Sequence, residues 1–393
     1  MQSNNIRKIY KKFERLRRYC EMNDFKGYDP YDGLNSPFHK LFTFKRAHLL
    51  RLIWIQTFKK SPINFRPLFK IKREYNPKGI ALFLTGYCNL FRKDKEKKYS
   101  EKIIYLAEIL IKLQTKGFSG ACWGYNFPWQ TRMGLFPKKY PTVVTTSFAS
   151  YALMDAYDCT GKQEYLDVAL NSTNFILKDL KKTYFESGFM FSYTPLRRDC
   201  VYNATLLASR LLSRAYHYVK KDYLIESAEA SVHACVEKQG ENGSWAYGVL
   251  PFQNWVDSFH TGFNLECISE YQRYSNDYRF SHALEKALKY YVKMFFLKSG
   301  IPNYYDNKIY PIDIHSPAQF IVTLYRMKKI DMYREIYEKI LKWTCIKMQD
   351  KRSGYFYYQK NKTYLNKIPY MRWSQAWMFY AISFYFLDKK NEY

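Results

Sequence analysis

The stretch whose reading decides the fold is VEKQGENGSWAYG, residues 236–248. It closes an apolar-periodic run, breaks at glycine, sets Trp245 and Tyr247 on alternate positions, and leads into a second run that opens with small and polar residues. The same order recurs upstream in IKLQTKGFSGACWGY (111–125) and FESGFMFSY (185–193). Downstream it recurs in a degenerate LKSGIPNYY (297–305) and in IKMQDKRSGYFYYQ (346–359). The aligned glycines Gly120, Gly188, Gly243, Gly300 and Gly354 lie 68, 55, 57 and 54 residues apart. A near-constant step of this size marks one supersecondary unit stacked on copies of itself.

Between the copies the sequence has helical period. Apolar segments follow each loop at 142–157, 201–218, 257–275, 313–327 and 370–387. More charged, one-sided segments follow at 163–180, 221–238, 279–297 and 330–348. Residues 79–92 and 98–115 extend the series upstream, and 42–59 supply one further helix. No run of alternating β-branched residues predicts a sheet of any size. A helix apolar all round must be buried, whereas one with a single apolar stripe lies at the surface. The two alternating classes therefore predict an all-α (α/α)6 toroid over 42–393, with outer amphipathic and inner apolar helices. Residues 1–41 form an N-terminal basic helix and a clamp segment, GYDPYDGLNSP (27–37). An open solenoid is the alternative, and the lack of distinct polar capping repeats favours closure.

Composition bounds the function. The 393 residues include 63 Lys+Arg and 35 Asp+Glu, a net charge of +28, with 39 Tyr, 29 Phe and 8 Trp. An apolar content of 47% requires a packed core and excludes a disordered polycation. No window is long and apolar enough for a transmembrane helix, and the basic start lacks the apolar stretch of a secretory signal. The cysteines at 20, 88, 122, 159, 200, 235, 267 and 345 form no C-x-x-C pair. They read as buried thiols of a cytoplasmic protein, with neither disulfides nor a metal site. No phosphate-binding loop, dinucleotide fingerprint, nucleophile elbow or H-E-x-x-H occurs, so no cofactor is expected. The positive charge, densest at 7–18, 59–73 and 92–102, suits an acidic saccharide, an anionic membrane or nucleic acid. Nucleic acid is disfavoured because no recognition module is visible. Within 6–18, Ile6, Tyr10, Phe13 and Leu16 alternate with lysines and arginines. Such a helix either rests on an anionic membrane, making the protein membrane-peripheral, or docks on the outer ring.

In a toroid the loops that enter the inner helices surround a central cavity, so unusual polar residues there are the site candidates. WVDSFHTGFNLE (255–266) places Asp257, His260 and Asn264 on one helix face. YPIDIHSPAQ (310–319) places Asp313, His315 and Gln319 at the equivalent point of the next repeat. A carboxylate beside an imidazole is an acid/base couple, so Asp257, His260, Asp313 and His315 are the catalytic candidates. Helix capping by the two aspartates and burial of the two histidines is the structural alternative. Arg198 and Arg372 are candidates for holding an anionic group, and Arg132 is a further substrate-binding candidate. Trp129 and Trp373 are candidates for stacking on sugar faces, and Tyr202, Asn264, Gln319 and Gln375 for further substrate contacts.

The Gln–Gly–aromatic strings resemble the QW repeats of squalene and oxidosqualene cyclases, although no Asp-rich motif of that family occurs. The overall plan resembles the six-hairpin glycosidases, polysaccharide lyases and uronyl C5-epimerases. Six whole strings carry a more particular resemblance: GYDPYDGLNSP, SPINFRPLF (61–69), NPKGIALFL (76–84), WVDSFHTGFNLE, YPIDIHSPAQ and YMRWSQAWM (370–378). They are similar to a little-characterised group linked to surface-polysaccharide genes. Some of its members bear a delta-aminolevulinic acid dehydratase label, whose chemistry belongs to a βα-barrel; no βα alternation is present here. These resemblances imply a hydrolase, lyase or epimerase acting on an acidic saccharide or a lipid-linked glycan. A non-catalytic glycan-binding scaffold is the second expectation, and would show its aspartates sealed by aromatics. A terpenoid-cyclase-like enzyme is the third, and would show an aromatic cavity with a lone acid.

Overall fold

A computed structural model describes residues 2–38, 47–132 and 134–389. The boundary drawn at 41/42, and the first residues of the helix expected at 42–59, lie outside the described residues. The helices are α1 (Gln2–Met22), α2 (Ala47–Lys60), α3 (Pro77–Asp94), α4 (Lys97–Lys112), α5 (Val143–Thr160), α6 (Gln163–Asn174), α7 (Tyr202–Val219), α8 (Asp222–Val236), α9 (Ser258–Ser275), α10 (Ser281–Phe295), α11 (His315–Arg326), α12 (Arg334–Lys347) and α13 (Trp377–Asp388).

The inner ring is α3, α5, α7, α9, α11 and α13. Each packs on the next, and α13 packs back on α3, so the ring closes. Their apolar sequences explain this. In α5 every residue from Val143 to Ala156 is buried, which no surface helix could tolerate. The outer helices bury one stripe each, as in α4 with Tyr99, Ile103, Leu106, Ala107 and Leu110. The all-α (α/α)6 architecture is thus the one expected. The only sheets among the described residues are short hairpins at loop tips, such as Trp129–Thr131 with Gly134–Phe136 and Lys182–Phe185 with Gly188–Phe191, and a small three-stranded sheet.

The sixth outer place was expected for 42–59, and here the structure differs. It is α1 that fills that place. Ile6, Ile9, Phe13, Leu16 and Cys20 are buried against the ring, and α1 packs on α12 and α13. The repeat device itself identifies α1 as an outer helix. Gln239 Nε2 donates to Gly243 O (3.1 Å) and to Ala283 O of the neighbouring outer helix α10 (3.0 Å). Gln349 Nε2 donates in the same way to Gly354 O (2.8 Å) and to Lys12 O of α1 (2.8 Å). A Cβ on Gly243 would lie 2.7 Å from Lys286 O, and one on Gly354 2.5 Å from Arg15 Cβ, so both loops need glycine for backbone approach. Because the apolar side of 6–18 is consumed by the ring, membrane contact through that helix is corrected. Arginines and lysines remain on its outside, and among the described side chains of α1 only Tyr10 and Met22 are large, apolar and exposed.

Helix α2 belongs to neither ring. It lies across one end of the toroid against the turn at Asp32–Asn35 and the hairpin strand Trp129–Thr131, with Trp54 Nε1 donating to Gly33 O (3.0 Å). The opposite half of the inner ring is plugged by buried ion pairs. Arg210 meets Glu266 (2.8 Å), Arg214 meets Asp155 (3.1 Å), and Arg92 also meets Asp155 (3.0 Å). Burial opposes ionisation of Asp155, yet Arg214 and Arg92 hold its carboxyl below the usual range. The cavity lies at the other end, where the N-termini of the inner helices converge.

Candidate functional site

A cavity of about 530 Å³ occupies that end. Its floor is built from the first turns of the inner helices: Lys78 of α3, Val144 of α5, Asn203 of α7, Phe259 and His260 of α9, and His315 of α11. Arg372 and Trp373, on the π-helical turn Met371–Ala376 that leads into α13, complete the circle. Leu52, Gln56 and Lys59 of α2 form part of the wall above it.

Asp257 is the N-cap of α9, accepting from the His260 backbone N–H at 3.0 Å. Its other oxygen lies 2.7 Å from His260 Nδ1 and also accepts from Trp255 Nε1 at 3.1 Å. A carboxylate acceptor at Nδ1 places the proton there and leaves Nε2 as a lone pair for the cavity. The capping and catalytic readings of Asp257 are thus compatible, because the two oxygens divide the work.

His315 is held differently. Its ring stacks on Phe259 (4.4 Å, 8°) and lies 4.0 Å from the Trp377 ring, and both ring nitrogens are buried with no hydrogen-bond partner. Burial, then the charges of Lys78 and Arg372, push its pKa well below the ordinary imidazole value, so it is neutral. Phe259 separates the two imidazoles, touching His260 at 4.0 Å on its other side. Asp313 does not contact the His315 ring. It accepts the His315 backbone N–H (2.8 Å), Trp373 Nε1 (2.9 Å) and Gln359 Nε2 (2.6 Å), and burial lifts its pKa to about 6. Trp373 seals it from the cavity, so the expectation that Asp313 serves as a cavity acid is corrected: it is a buried support for Trp373.

The cavity carries more positive than negative charge. Lys59, Lys78, Arg132 and Arg372 line it against Asp199 and Asp257. Arg372 is already paired, with Nε and Nη2 both on the Asp29 carboxylate (2.5 and 2.8 Å). Lys78 has no carboxylate partner among the described residues; its ammonium position lies 4.4 Å from the Phe148 ring centre and 5.1 Å from that of Phe263. Burial, then Arg372, hold the Lys78 pKa well below the ordinary lysine value. Asp199 is lifted above the usual carboxylate range by burial while accepting from the Tyr193 N–H (2.6 Å).

Of the residues singled out from the sequence, Asp257, His260, His315, Trp129, Arg132, Arg372 and Trp373 line this cavity. The others lie elsewhere. Arg198 is exposed outside it, and Tyr202 is buried behind it with its hydroxyl pushed up to about 12 by burial. Asn264 and Gln319 are turns deeper in their helices, Gln319 Nε2 donating to Glu266 (3.0 Å) in the ionic plug. Gln375 is spent on the backbone of Phe356, bonding both its N–H (2.7 Å) and its carbonyl (2.8 Å). Lys78 was missed. Its only signal was a lysine directly after N-P at the start of an otherwise apolar helix. Among the described residues no group of three or more His, Cys, Asp or Glu is placed to hold a metal.

No family model matches the chain, and no curated protein matches it in sequence. Solved structures do match. The cellobiose 2-epimerase of Bacillus thermoamylovorans is 15% identical with a TM-score of 0.61, over 80% of this chain and 90% of that one. A heparin-specific unsaturated glucuronyl hydrolase is 13% identical with a TM-score of 0.62, over 96% and 97%. A GH76 α-mannanase of Bacteroides thetaiotaomicron is 13% identical with a TM-score of 0.56, over 79% and 86%. At these identities the likeness establishes the fold, an α/α toroid shared with enzymes named for saccharide substrates.

Proposed function

We propose that this protein is a saccharide-processing enzyme whose cavity moves a proton at a sugar carbon, as an epimerase or isomerase does. The observation that carries this is the pair of imidazoles on either side of Phe259. His260 has its Nδ1 fixed by Asp257 (2.7 Å), and His315 is neutral with both nitrogens unpartnered. His260 takes the proton through Nε2 and returns it as the imidazolium it has become, while the neutral His315 offers its N–H as a hydrogen bond from the other side. Lys78, whose charge burial disfavours in the empty cavity, takes up a proton when an enolate or a carboxylate faces it. Trp129 and Trp373 stack on the sugar. The excess of cations on the wall favours an acidic saccharide, alone or at the head of a lipid-linked glycan, and a role in surface-polysaccharide metabolism in the cytoplasm. The neighbours named for epimerisation and for glycan hydrolysis support a saccharide substrate.

A hydrolytic reading has one observation of its own. Asp199 faces the cavity with a raised pKa, as a general acid requires. It lacks a free carboxylate opposite, since Asp257 is engaged by His260 and Trp255, and Asp29 by Arg372. Incubation of uronic acids, uronate-ended disaccharides and neutral aldoses in heavy water, followed by NMR, separates the readings. Deuterium entering a sugar C–H position, lost in His260→Ala and His315→Phe, supports proton transfer. Glycosidic cleavage without deuterium, lost in Asp199→Asn, replaces it with hydrolysis.

A further inference from the structure

The charge of this chain is unevenly placed. Between Asp32 and Glu74 the sequence holds ten Lys/Arg and no acidic residue, and between Asp350 and Asp388 it holds six and none. These two acid-free stretches meet in space: Tyr364 Oη donates to Lys60 O (3.3 Å), Asn366 Nδ2 to Ser61 O (2.9 Å) and Tyr370 Oη to Phe58 O (3.3 Å). Arg66 and Arg372 within them are buried on Asp32 and Asp29, so they serve the interior. Lys60, Lys70, Lys72, Lys362 and Lys367 are exposed and have no carboxylate partner among the described residues.

Large aliphatic side chains share α2 and the loop after it with three of these lysines, Lys60, Lys70 and Lys72. Leu49 (56% exposed) and Ile53 (53%) are one helical turn apart on α2, with Leu50 beside them, and Ile63 (62%) and Leu68 (72%) follow on the next loop. Among the described residues nothing covers them, whereas Ala47, Ile55 and Phe58 on the opposite side of α2 are buried. A soluble surface avoids grouping such residues, whereas a helix lying in a bilayer interface needs aliphatics flanked by lysines. The inward side of the same helix carries Leu52, Gln56 and Lys59, which line the cavity.

We propose that α2 and the loop after it form a docking face for an anionic lipid bilayer, set beside the cavity mouth. The aliphatics enter the acyl boundary while the lysines meet anionic headgroups. An anionic polysaccharide would use the same lysines but gain nothing from Leu49, Ile53, Ile63 and Leu68, so the aliphatics select the bilayer. The inference is independent of which reaction the cavity performs.

The test is co-sedimentation of the full chain with vesicles of phosphatidylcholine alone and of phosphatidylcholine mixed equally with phosphatidylglycerol. It is repeated for Leu49→Asp/Ile53→Asp and for Lys60→Glu/Lys70→Glu, with circular dichroism confirming the fold. The expected result is binding to the anionic vesicles only, weakened at least tenfold by either pair of substitutions. Absence of binding overturns the proposal. So does vesicle binding that the aliphatic pair leaves unchanged, or binding to immobilised polygalacturonate that the lysine pair loses and the aliphatic pair keeps. A concentration-dependent dimer abolished by Leu49→Asp/Ile53→Asp would assign the face to a second copy of the chain instead.

Discussion

At the start of α9, Asp257 accepts both the backbone N–H and the ring of His260; at the start of α11, Asp313 accepts only the backbone N–H of His315. The two segments read D-x-x-H and D-x-H, and that single residue of spacing accounts for the difference. Asp257 is the N-cap and His260 the third helical residue, the position from which a side chain reaches back to its cap. His315 is the first residue of α11, so its ring swings away from the strand Ile312–Asp313 and inserts between Phe259 and Trp377. One imidazole is therefore oriented by a carboxylate, and the other is held by ring faces alone. Two histidines in register along a repeat are thus two different chemical groups, one a base and one a neutral partner.

The largest effect that tests this contrast is on turnover. His260→Ala and His315→Phe are each expected to lower the rate by roughly 10²–10⁴-fold, the range of a lost acid/base group. They differ in stability. His260→Ala should leave Tm nearly unchanged, because its ring is partly exposed. His315→Phe should leave it unchanged or raised, because no hydrogen bond is lost and the stack on Phe259 is kept. Full activity in His315→Phe would reduce the pair to a single catalytic histidine.

The next effect is a pH dependence of opposite sign at Asp313, just before α11, and at His315, its first residue. Asp313, raised to about 6, binds its proton more tightly folded than unfolded, so stability is greatest at low pH and falls as pH climbs through about 6. Asp313→Asn should therefore be more stable than the parent above that value, by up to about 3 kcal/mol, with the gap closing near pH ~4. His315, depressed below its ordinary value, loses stability as pH falls below about 6.5. His315→Phe should remove that acid-side loss. Thermal melts across pH read both. Lys78→Met comes after these: removing an unpaired buried amine should raise stability by roughly 1–3 kcal/mol while weakening binding of acidic sugars, measured by melts and by calorimetric titration.

Much of the architecture was legible because it is repeated. The Gly–x–aromatic steps and the alternation of apolar and one-sided helices state two rings, and inner-helix boundaries fall within a few residues of those read from the sequence. What escaped is what the chain does once. Helix α1 carries no repeat loop of its own, so its outer-ring place shows only when Gln349 reaches Lys12 O across the closure. Helix α2 interrupts the series and has no counterpart from which to read it. At the site, Asp257, His260 and His315 were legible from spacing, whereas depth in a helix was not. Asn264 and Gln319 share a face with their histidines but lie too far from the mouth, where neighbouring helices bring Arg210 and Glu266 together. Lys78 could not be weighed from sequence, because a lysine at a helix start is ordinary until three aromatic faces and a guanidinium surround it.

The smallest effect on stability separates the two duties of Asp257. Asp257→Ala removes the cap and the ring anchor together and should cost about 1 kcal/mol, the usual worth of an N-cap. Asn caps as well as Asp does, so Asp257→Asn should melt with the parent. Its amide, however, would present an N–H toward His260 Nδ1 and reverse the ring's tautomer, placing a proton on Nε2 where the cavity needs a lone pair. Asp257→Asn should therefore follow His260→Ala in turnover while matching the parent in Tm. If it keeps parental turnover, the 2.7 Å contact at Nδ1 is only a cap's by-product, and α9 and α11 begin in the same way after all.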